Sequence, residues 1–264
     1  MELLGYTTSA LIGISLGLIG GGGSILTVPV MVYLFGVQPL LATSYSLFIV
    51  GSTSFIGSVN NFRKGLVSLK AFLFFGASSL VTVFLTRKFL IPIIPKEILT
   101  IRGYTVTESF LTMVLFGILM LVASVSMIRE RSDADPEKEC SECIKLFKLL
   151  GYGVSIGLVT GLLGAGGGFL LIPALVLLVK LPMKKAVGTS LAIIAANSLF
   201  GFVADLGHFT IDWGFLLTIT AIAVVGIFVG GLLSKKIPGE KLKKGFGWFV
   251  LVMGFYIIIK EVSG

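Results

Sequence analysis

Long apolar stretches separated by short polar segments run along almost the entire chain. An α-helix needs roughly 17–25 apolar residues to cross about 30 Å of hydrocarbon, and most of the stretches have this length. The pattern therefore predicts an all-α polytopic membrane protein. We interpret ten stretches as membrane segments, at 4–20, 24–36, 40–60, 67–86, 109–128, 149–165, 168–180, 186–204, 211–233 and 246–259.

The chain contains an internal repeat built around clusters of glycine. Segment 17–34 (GLIGGGGSILTVPVMVYL) aligns without a gap with segment 161–178 (GLLGAGGGFLLIPALVLL), at an offset of 144 residues. Each glycine in a helix costs about 1 kcal/mol relative to alanine, so these clusters favour broken helices. Apolar segments 24–36 and 168–180, which follow the glycines, are too short to cross alone as straight helices. Paired, glycine-interrupted segments in the two halves of a membrane protein point to a transport site.

The predicted organisation is two repeats joined by a polar linker. Repeat 1 covers 1–128, repeat 2 covers 149–264, and the charged segment 129–148 with Pro136 joins them. Each repeat is expected to hold a hairpin of short helices interrupted by glycine and three further transmembrane helices. Pro92 and Pro95 predict a loop rather than a helix over 87–108.

Composition agrees with a membrane protein. Residues are 55% hydrophobic and only 13% charged, against about 25% charged in soluble proteins. The mean hydropathy is +1.04. Every charged residue falls between the predicted membrane segments or at their ends, so the net charge of +8 indicates topology rather than nucleic-acid binding. The N-terminus lacks the basic region and cleavage site of a removed signal peptide.

Loop charges predict that the two repeats are inverted in the membrane. Loop 61–70 carries three basic residues, whereas its counterpart around His208 carries none; the bias is reversed between 36–40 and 180–185. Basic loops face the cytoplasm, which places the linker 129–148 and sixteen of the 21 basic residues inside. In the alternative, each glycine-interrupted pair forms one kinked crossing and the repeats are parallel.

The glycine breaks are candidate anion sites. A helix that begins after a break presents N–H groups without intrahelical partners, and helix N-termini bind anions through such groups. Two of them, related by inversion, are expected to meet near the midplane and to bind a small anion without a buried Lys or Arg. The alternative is that the glycines only allow close helix packing.

Three motifs resemble the sulfite exporter TauE/SafE family, also called the toluene sulfonate uptake permease superfamily. They are GLIGGGGSILTVPVM at 17–31, GLLGAGGGFLLIPAL at 161–175 and AVGTSLAIIAANSLFGF at 186–202, and HFTIDW at 208–213 fits as well. The resemblance implies transport of a small sulfur-containing anion, sulfite or an organosulfonate, in sulfur metabolism, by a multi-pass protein of a prokaryotic inner membrane. Repeat 1 departs from repeat 2 where SYS at 44–46 replaces GTS at 188–190.

Hydroxyl and amide side chains inside the membrane complete the candidate site. Serine and threonine hydroxyls near the breaks are able to bind a sulfonate oxygen or to bond within their own helix. Asn197 is a candidate for a substrate contact or for an interhelical hydrogen bond. The predicted substrate-binding residues are Gly21, Gly22, Gly23, Ser24, Ser44, Ser46, Gly166, Gly167, Gly168, Thr189, Ser190 and Asn197.

Two residue pairs, and Ser190, have interpretations other than binding of the substrate. Asp205 and His208 are candidates for proton coupling, because histidine titrates near neutral pH. The alternative is that they form an interfacial capping cluster. Cys140 and Cys143 form a CxxC that suggests a redox pair, half of a metal site shared by a homodimer, or two reduced thiols. Ser190 is a poor nucleophile candidate, because the single histidine lies about five turns along the helix. We therefore predict no catalytic residue, metal or cofactor.

The leading hypothesis is a secondary carrier for a small anion, with the lipid bilayer as its environment. No Walker motif (GxxxxGK[ST]) is present, so an ion gradient or the substrate's own gradient supplies the energy. An anion channel or facilitator, and an uptake permease for another small oxyanion, remain alternatives. Saturable, gradient-coupled flux distinguishes a carrier from a channel.

Overall fold

A computed structural model of the chain describes residues 2–19, 21–93, 97–101, 104–128, 146–164, 166–177, 179–233 and 239–263. The helices are α1 (Glu2–Ile19), α2 (Thr27–Tyr33), α3 (Pro39–Arg63), α4 (Leu69–Ile93), α5 (Glu108–Ile128), α6 (Leu146–Leu163), α7 (Gly168–Leu177), α8 (Met183–Asp205), α9 (Trp213–Leu233) and α10 (Gly239–Ser263). A 3-10 helix, Gly21–Leu26, precedes α2.

The helices confirm a multi-pass membrane protein. Within the described part of the chain, five helices are long and apolar enough to cross a membrane, at Pro39–Arg63, Leu69–Ile93, Glu108–Val125, Lys184–Asp205 and Trp213–Leu233. Shorter apolar helices cover Thr7–Leu18, Ser24–Tyr33 and Leu149–Leu163. Large apolar side chains on the outer faces of α9 and α10, such as Phe228 and Ile259, are more than half exposed. Lipid is the solvent that suits such surfaces.

Helix α4 is longer than the sequence pattern predicts. We expected it to end at residue 86 and a loop to follow, but the helix continues to Ile93. The π-helical turn Thr86–Leu90, directly before Ile91 and Pro92, widens the helix and so accommodates a proline ring and its missing N–H. The rest of the expected loop contains two short antiparallel strands, β1 (Glu97–Ile101) and β2 (Tyr104–Thr107), which the sequence analysis did not predict.

The two glycine clusters adopt different backbone conformations. In repeat 2 the helix is broken as predicted: α6 ends at Leu163, α7 begins at Gly168, and Gly164, Gly166 and Gly167 have φ of +64°, +66° and +67°. In repeat 1 the 3-10 helix Gly21–Leu26 leads directly into α2. The expectation of two equivalent, open helix N-termini is therefore met in repeat 2 only. We call Gly164, Gly166 and Gly167 the second break.

The offset of 144 residues relates helix ends and turns as well as sequence. Helices α3 and α8 begin at Pro39 and Met183, and helices α4 and α9 begin at Leu69 and Trp213. The turns before α3 and α8 contain Gly36, with φ of +67°, and Lys180, with φ of +57°. Among the described residues, Lys180 is the one non-glycine residue with a positive φ. An L-residue rarely adopts this conformation, so the turn geometry follows the repeat rather than the residue type.

The equivalent helices α3 and α8 cross antiparallel at the centre of the protein. Gly51 lies against Leu199, and Gly57 lies against Leu191, so one helix ascends as the other descends. On the same interface Gly201 packs against Leu47.

The first helix of each repeat packs on a helix of the other repeat. In α1, Gly13 lies against the backbone of Ala223 in α9. In α6, Gly157 lies against the backbone of Ser79 in α4. Both pairs are parallel and depend on glycine at the contact, as small-residue helix interfaces in membranes do. The two repeats therefore interlock rather than sit side by side.

Two matching hydrogen bonds also join the repeats. The backbone N–H of Asp212 donates to the Tyr45 hydroxyl at 2.9 Å, and the backbone N–H of Ser68 donates to the Thr189 hydroxyl at 2.9 Å. Tyr45 and Thr189 are 144 residues apart, as are Ser68 and Asp212. Although SYS and GTS differ in sequence, the middle residue of each supplies a hydroxyl that accepts a backbone N–H, from Ser68 before α4 or from Asp212 before α9.

Candidate functional site

The second break is stabilised by its own backbone. The N–H of Gly164 donates to the Thr160 carbonyl at 2.9 Å and closes α6. The carbonyl of Gly167 accepts from the N–H groups of Leu170 and Leu171, at 3.0 and 2.9 Å, and opens α7. Three glycines at positive φ between these bonds turn the chain sharply where other residues are strained.

Arg87, Thr160 and Ser198 each bring a polar atom against the second break, and we call these three side chains the polar cluster. A methyl group at Gly164 overlaps Nη2 of Arg87, and one at Gly167 overlaps Oγ1 of Thr160. A methyl group at Gly166 lies 2.8 Å from Oγ of Ser198. The glycines therefore leave room for polar atoms from α4, α6 and α8 to approach the backbone.

The polar cluster has hydrogen-bonding capacity that the protein does not use. Thr160 Oγ1, Ser198 Oγ, and Nε and Nη2 of Arg87 are buried and have no hydrogen-bond partner among the described residues. All three side chains are at most 1% exposed. Each unsatisfied buried group costs about 1–3 kcal/mol, and more if charged. A cluster of buried donors without acceptors is able to bind a polar ligand that supplies the acceptor atoms.

Arg87 is held by an ion pair that the sequence analysis did not foresee. Its Nη1 lies 2.9 Å from Oδ2 of Asp205 and 3.0 Å from the Thr43 hydroxyl, and Ser44 donates to the same carboxylate oxygen. Arg87 lies in α4 and Asp205 at the end of α8, and both are fully buried. The expectation that Arg87 lies in a loop is therefore wrong, and a buried cation lies beside the second break. That expectation failed because Pro92 does not end α4 early.

Asp205 is paired with arginine rather than with histidine. The side chain of His208 is exposed, and the bond described between the two residues joins the N–H of His208 to the carbonyl of Asp205 at 3.1 Å. Of the two predicted partners, the structure thus places Asp205 beside the polar cluster and His208 at the surface.

The other predicted site residues are distributed around this centre. Ser44 contacts Asp205, whereas Ser190 donates to the Val187 carbonyl within its own helix at 2.9 Å. Asn197 donates to the Ser79 hydroxyl at 2.7 Å, the interhelical bond that was one of its two interpretations, and its Oδ1 has no partner. Ser46 is buried with its hydroxyl unpaired. Gly21, Gly22, Gly23 and Ser24 lie in the 3-10 helix of repeat 1. Gly166 and Gly167 lie in the second break, and Gly168 is the first residue of α7.

Repeat 1 retains part of the same arrangement. Ser54, the counterpart of Ser198, is also buried without a partner for its hydroxyl. The segment Gly21–Leu26, which contains glycines of the first cluster, contacts α7 of the second repeat. The counterparts of Arg87 and Asp205 are Gly231 and Asn61, so the equivalent positions cannot form the ion pair. The site is therefore asymmetric.

Sequence reasoning missed Arg87, Thr43, Thr160 and Ser198. For Arg87 a signal existed: the apolar pattern continues through FLIPII after it, which allows one more helical turn. Thr43 and Thr160 gave no signal, because a single threonine in an apolar helix usually bonds to its own backbone. Cys140 and Cys143 lie outside the described residues. In the part that is described, no group of three or more His, Cys, Asp or Glu residues is arranged to hold a metal ion.

An apolar groove lies away from the polar cluster. It has a volume of about 510 Å³ and runs between α3, the start of α4 and α8. Its lining is mostly Phe, Leu, Val and Ala, with Arg63 and Ser58 as the polar members. Such a surface does not suit a small, strongly hydrated anion.

Comparison with known proteins identifies the family. The chain matches the family described as sulfite exporter TauE/SafE over residues 6–257. It is 28% identical over 258 residues to a probable membrane transporter protein of Xylella fastidiosa (strain 9a5c), covering 95% of this chain and 92% of the relative. It is 25% identical over 271 residues to the probable membrane transporter protein YunE of Bacillus subtilis (strain 168), covering 93% of each. No solved structure matches. The chain therefore belongs to the sulfite exporter TauE/SafE family of membrane transporters.

Proposed function

We propose that this chain is a secondary carrier of a small sulfur-containing anion, sulfite or an organosulfonate, and that it binds the anion at the second break. The observation that carries the proposal is the set of buried donors on Arg87, Thr160 and Ser198 that have no partner among the described residues and lie against glycine backbone. The N–H groups of arginine and the O–H groups of threonine and serine donate hydrogen bonds to the oxygens of an oxyanion. The family description supports the sulfur chemistry.

The transport mechanism proposed is alternating access between two inverted repeats. The antiparallel crossing of α3 and α8, with the offset that relates them, supports inversion. The polar cluster is closed from solvent, so an anion enters only when the repeats move relative to each other. The paired hydroxyl bonds of Tyr45 and Thr189 lie at the starts of α9 and α4, where such movement breaks one of them.

The inverted arrangement predicts that equivalent turns face opposite sides of the membrane. Gly36 and Lys180 are exposed and equivalent, and the cytoplasmic placement of linker 129–148 puts Lys180 inside. After Cys140 and Cys143 are changed to Ser, G36C is expected to react with an impermeant maleimide from the periplasmic side of the inner membrane, and K180C only after the membrane is opened. Labelling of both from one side would favour parallel repeats.

Flux measurements test the substrate. Purified protein in liposomes is expected to transport sulfite or an organosulfonate such as taurine or sulfoacetate with saturable kinetics and exchange against internal anion. Thiosulfate and sulfate belong in the same panel. Flux that does not saturate identifies an anion channel instead, and preference for a sulfur-free oxyanion identifies a permease of the alternative class. Absence of flux for every anion contradicts the proposal.

Ser198 offers a sharper test within this assay. S198A removes a hydroxyl that has no partner in the protein, so stability is expected to stay the same or rise slightly. The half-saturating sulfite concentration is expected to rise about tenfold, because one donor to the anion is lost. The matched control is T220V, since the buried Thr220 hydroxyl donates to the Leu216 carbonyl in its own helix at 2.7 Å. Equal flux kinetics in S198A and T220V would exclude Ser198 from the site.

A further inference from the structure

We propose that the Nε–Nη2 edge of Arg87 is the element that recognises the anion, by binding two oxygens of one oxyanion group at the same time. The proposal rests on the proposed function and names the residue and the geometry that select the substrate. Nothing in the sequence pattern or in the family description assigns this role to Arg87.

The two edges of the Arg87 guanidinium are used differently. Asp205 and Thr43 occupy both N–H directions of Nη1, at 2.9 and 3.0 Å. Nε and Nη2 together form the side-on edge of the guanidinium. Within the part of the chain that the structure describes, this edge has no hydrogen-bond partner, although the residue is 0% exposed. The ion pair thus fixes the orientation of the side chain and leaves the bidentate edge unoccupied. A buried arginine edge without an acceptor is costly unless a ligand supplies one.

The unoccupied edge is directed at the second break. Nη2 lies so close to Gly164 that a methyl group there overlaps it. Gly164 has φ of +64°, which favours glycine independently of the contact. The carboxylate of Asp205 lies on the far edge of the guanidinium, so an anion at Nε and Nη2 does not have to displace it.

This geometry selects the shape of the ligand. A guanidinium edge binds two oxygens attached to one atom through parallel hydrogen bonds, which a spherical halide lacks. Sulfite, sulfonates and carboxylates all present such a pair. Since the counterpart of Arg87 is Gly231, repeat 2 does not supply a second such edge at the equivalent position, and we expect one anion to bind.

Binding to purified protein in lipid nanodiscs tests the inference. Sulfite binding to the wild-type chain is measured by calorimetry and competed with methanesulfonate, formate, chloride and bromide at constant ionic strength. Methanesulfonate and formate are expected to compete, and the halides to compete at least about tenfold more weakly. Chloride that competes as well as formate would overturn the proposal without any variant.

Two variants separate the shape of the donor from its charge. R87K keeps the positive charge but loses the bidentate edge, and sulfite affinity is expected to fall about tenfold or more while halide binding stays the same. The matched control is K88Q, which removes an exposed cation one residue away and is expected to bind like the wild type. Wild-type sulfite affinity in R87K would reject the role of Arg87 alone.

The proposal and the function it rests on fail in different ways. A wild-type chain that binds no anion of the panel contradicts both. A wild-type chain that binds sulfite, with R87K unchanged, contradicts the Arg87 proposal only. If R87K does not fold, the neutral pair R87Q/D205N removes both charges together and is tolerated better than loss of one partner. This double variant is expected to fold and to bind sulfite at least about tenfold more weakly.

Discussion

Replacing Gly166 with alanine is expected to abolish anion transport while the protein still inserts and folds. Alanine at φ of +66° costs about 1–2 kcal/mol in backbone strain. Its methyl group lies 2.8 Å from Ser198 Oγ and 2.8 Å from Val50 Cγ1, so the turn and Ser198 must move apart. A displacement of about 1 Å at a binding site can reduce activity about a hundredfold. Flux in liposomes and thermal unfolding in detergent measure the two effects separately.

Gly36 provides the control for backbone strain. Its φ is +67°, nearly that of Gly166, but no atom lies within 4 Å of the position of an added methyl group. Its counterpart Lys180 already holds a side chain at positive φ. G36A is therefore expected to lose a similar amount of stability and to retain transport. Equal flux in G166A and G36A would show that crowding at the second break does not affect binding.

Replacing Gly153 with alanine is expected to cause the largest loss of stability. Gly153 lies where α6 packs on α4, and an added methyl group lies 2.6 Å from the Phe75 carbonyl oxygen and overlaps the Ser78 hydroxyl. The carbonyl is backbone and cannot rotate away, so the two helices must separate. Overpacking of this kind costs about 1–3 kcal/mol, partly offset by the better helix propensity of alanine. Thermal unfolding of the purified protein is the measurement.

The control lies on the same helix, two residues away. Gly151 is exposed, and nothing lies within 4 Å of an added methyl group. G151A is expected to be neutral or to stabilise the helix by up to about 1 kcal/mol, with transport unchanged. If G153A is as stable as G151A, the helix contact does not depend on glycine, and helices α4 and α6 are packed more loosely than in this structure.

The internal repeat made much of the fold predictable. The offset of 144 residues holds for helix starts, for the turns at Gly36 and Lys180 and for the hydroxyl pair of Tyr45 and Thr189. Apolar stretches and glycine clusters are local signals in the sequence, and the structure has helices and a break in the helix at the positions that they predict. The parts that failed are those where the repeats differ: the 3-10 helix of repeat 1 and the last two turns of α4.

The candidate site was predictable in outline but not in its charges. Sequence indicated glycine backbone at 164–168, because positive φ and close approach require glycine. It could not indicate that Arg87 turns inward, because an arginine six residues before a helix end resembles an interfacial residue. It also could not pair Arg87 with Asp205, which lies 118 residues away.

The sequence by itself determined the class of protein, the repeat and the position of the broken helix, because each follows from residues close together in the chain. Only the tertiary structure decided which polar atoms meet at that break. Helices α4, α6 and α8 each bring one side chain to it, and their packing directs one edge of Arg87 to Asp205 and the other to Gly164. Contacts among helices distant in the chain depend on packing angle and rotation, which no local pattern encodes.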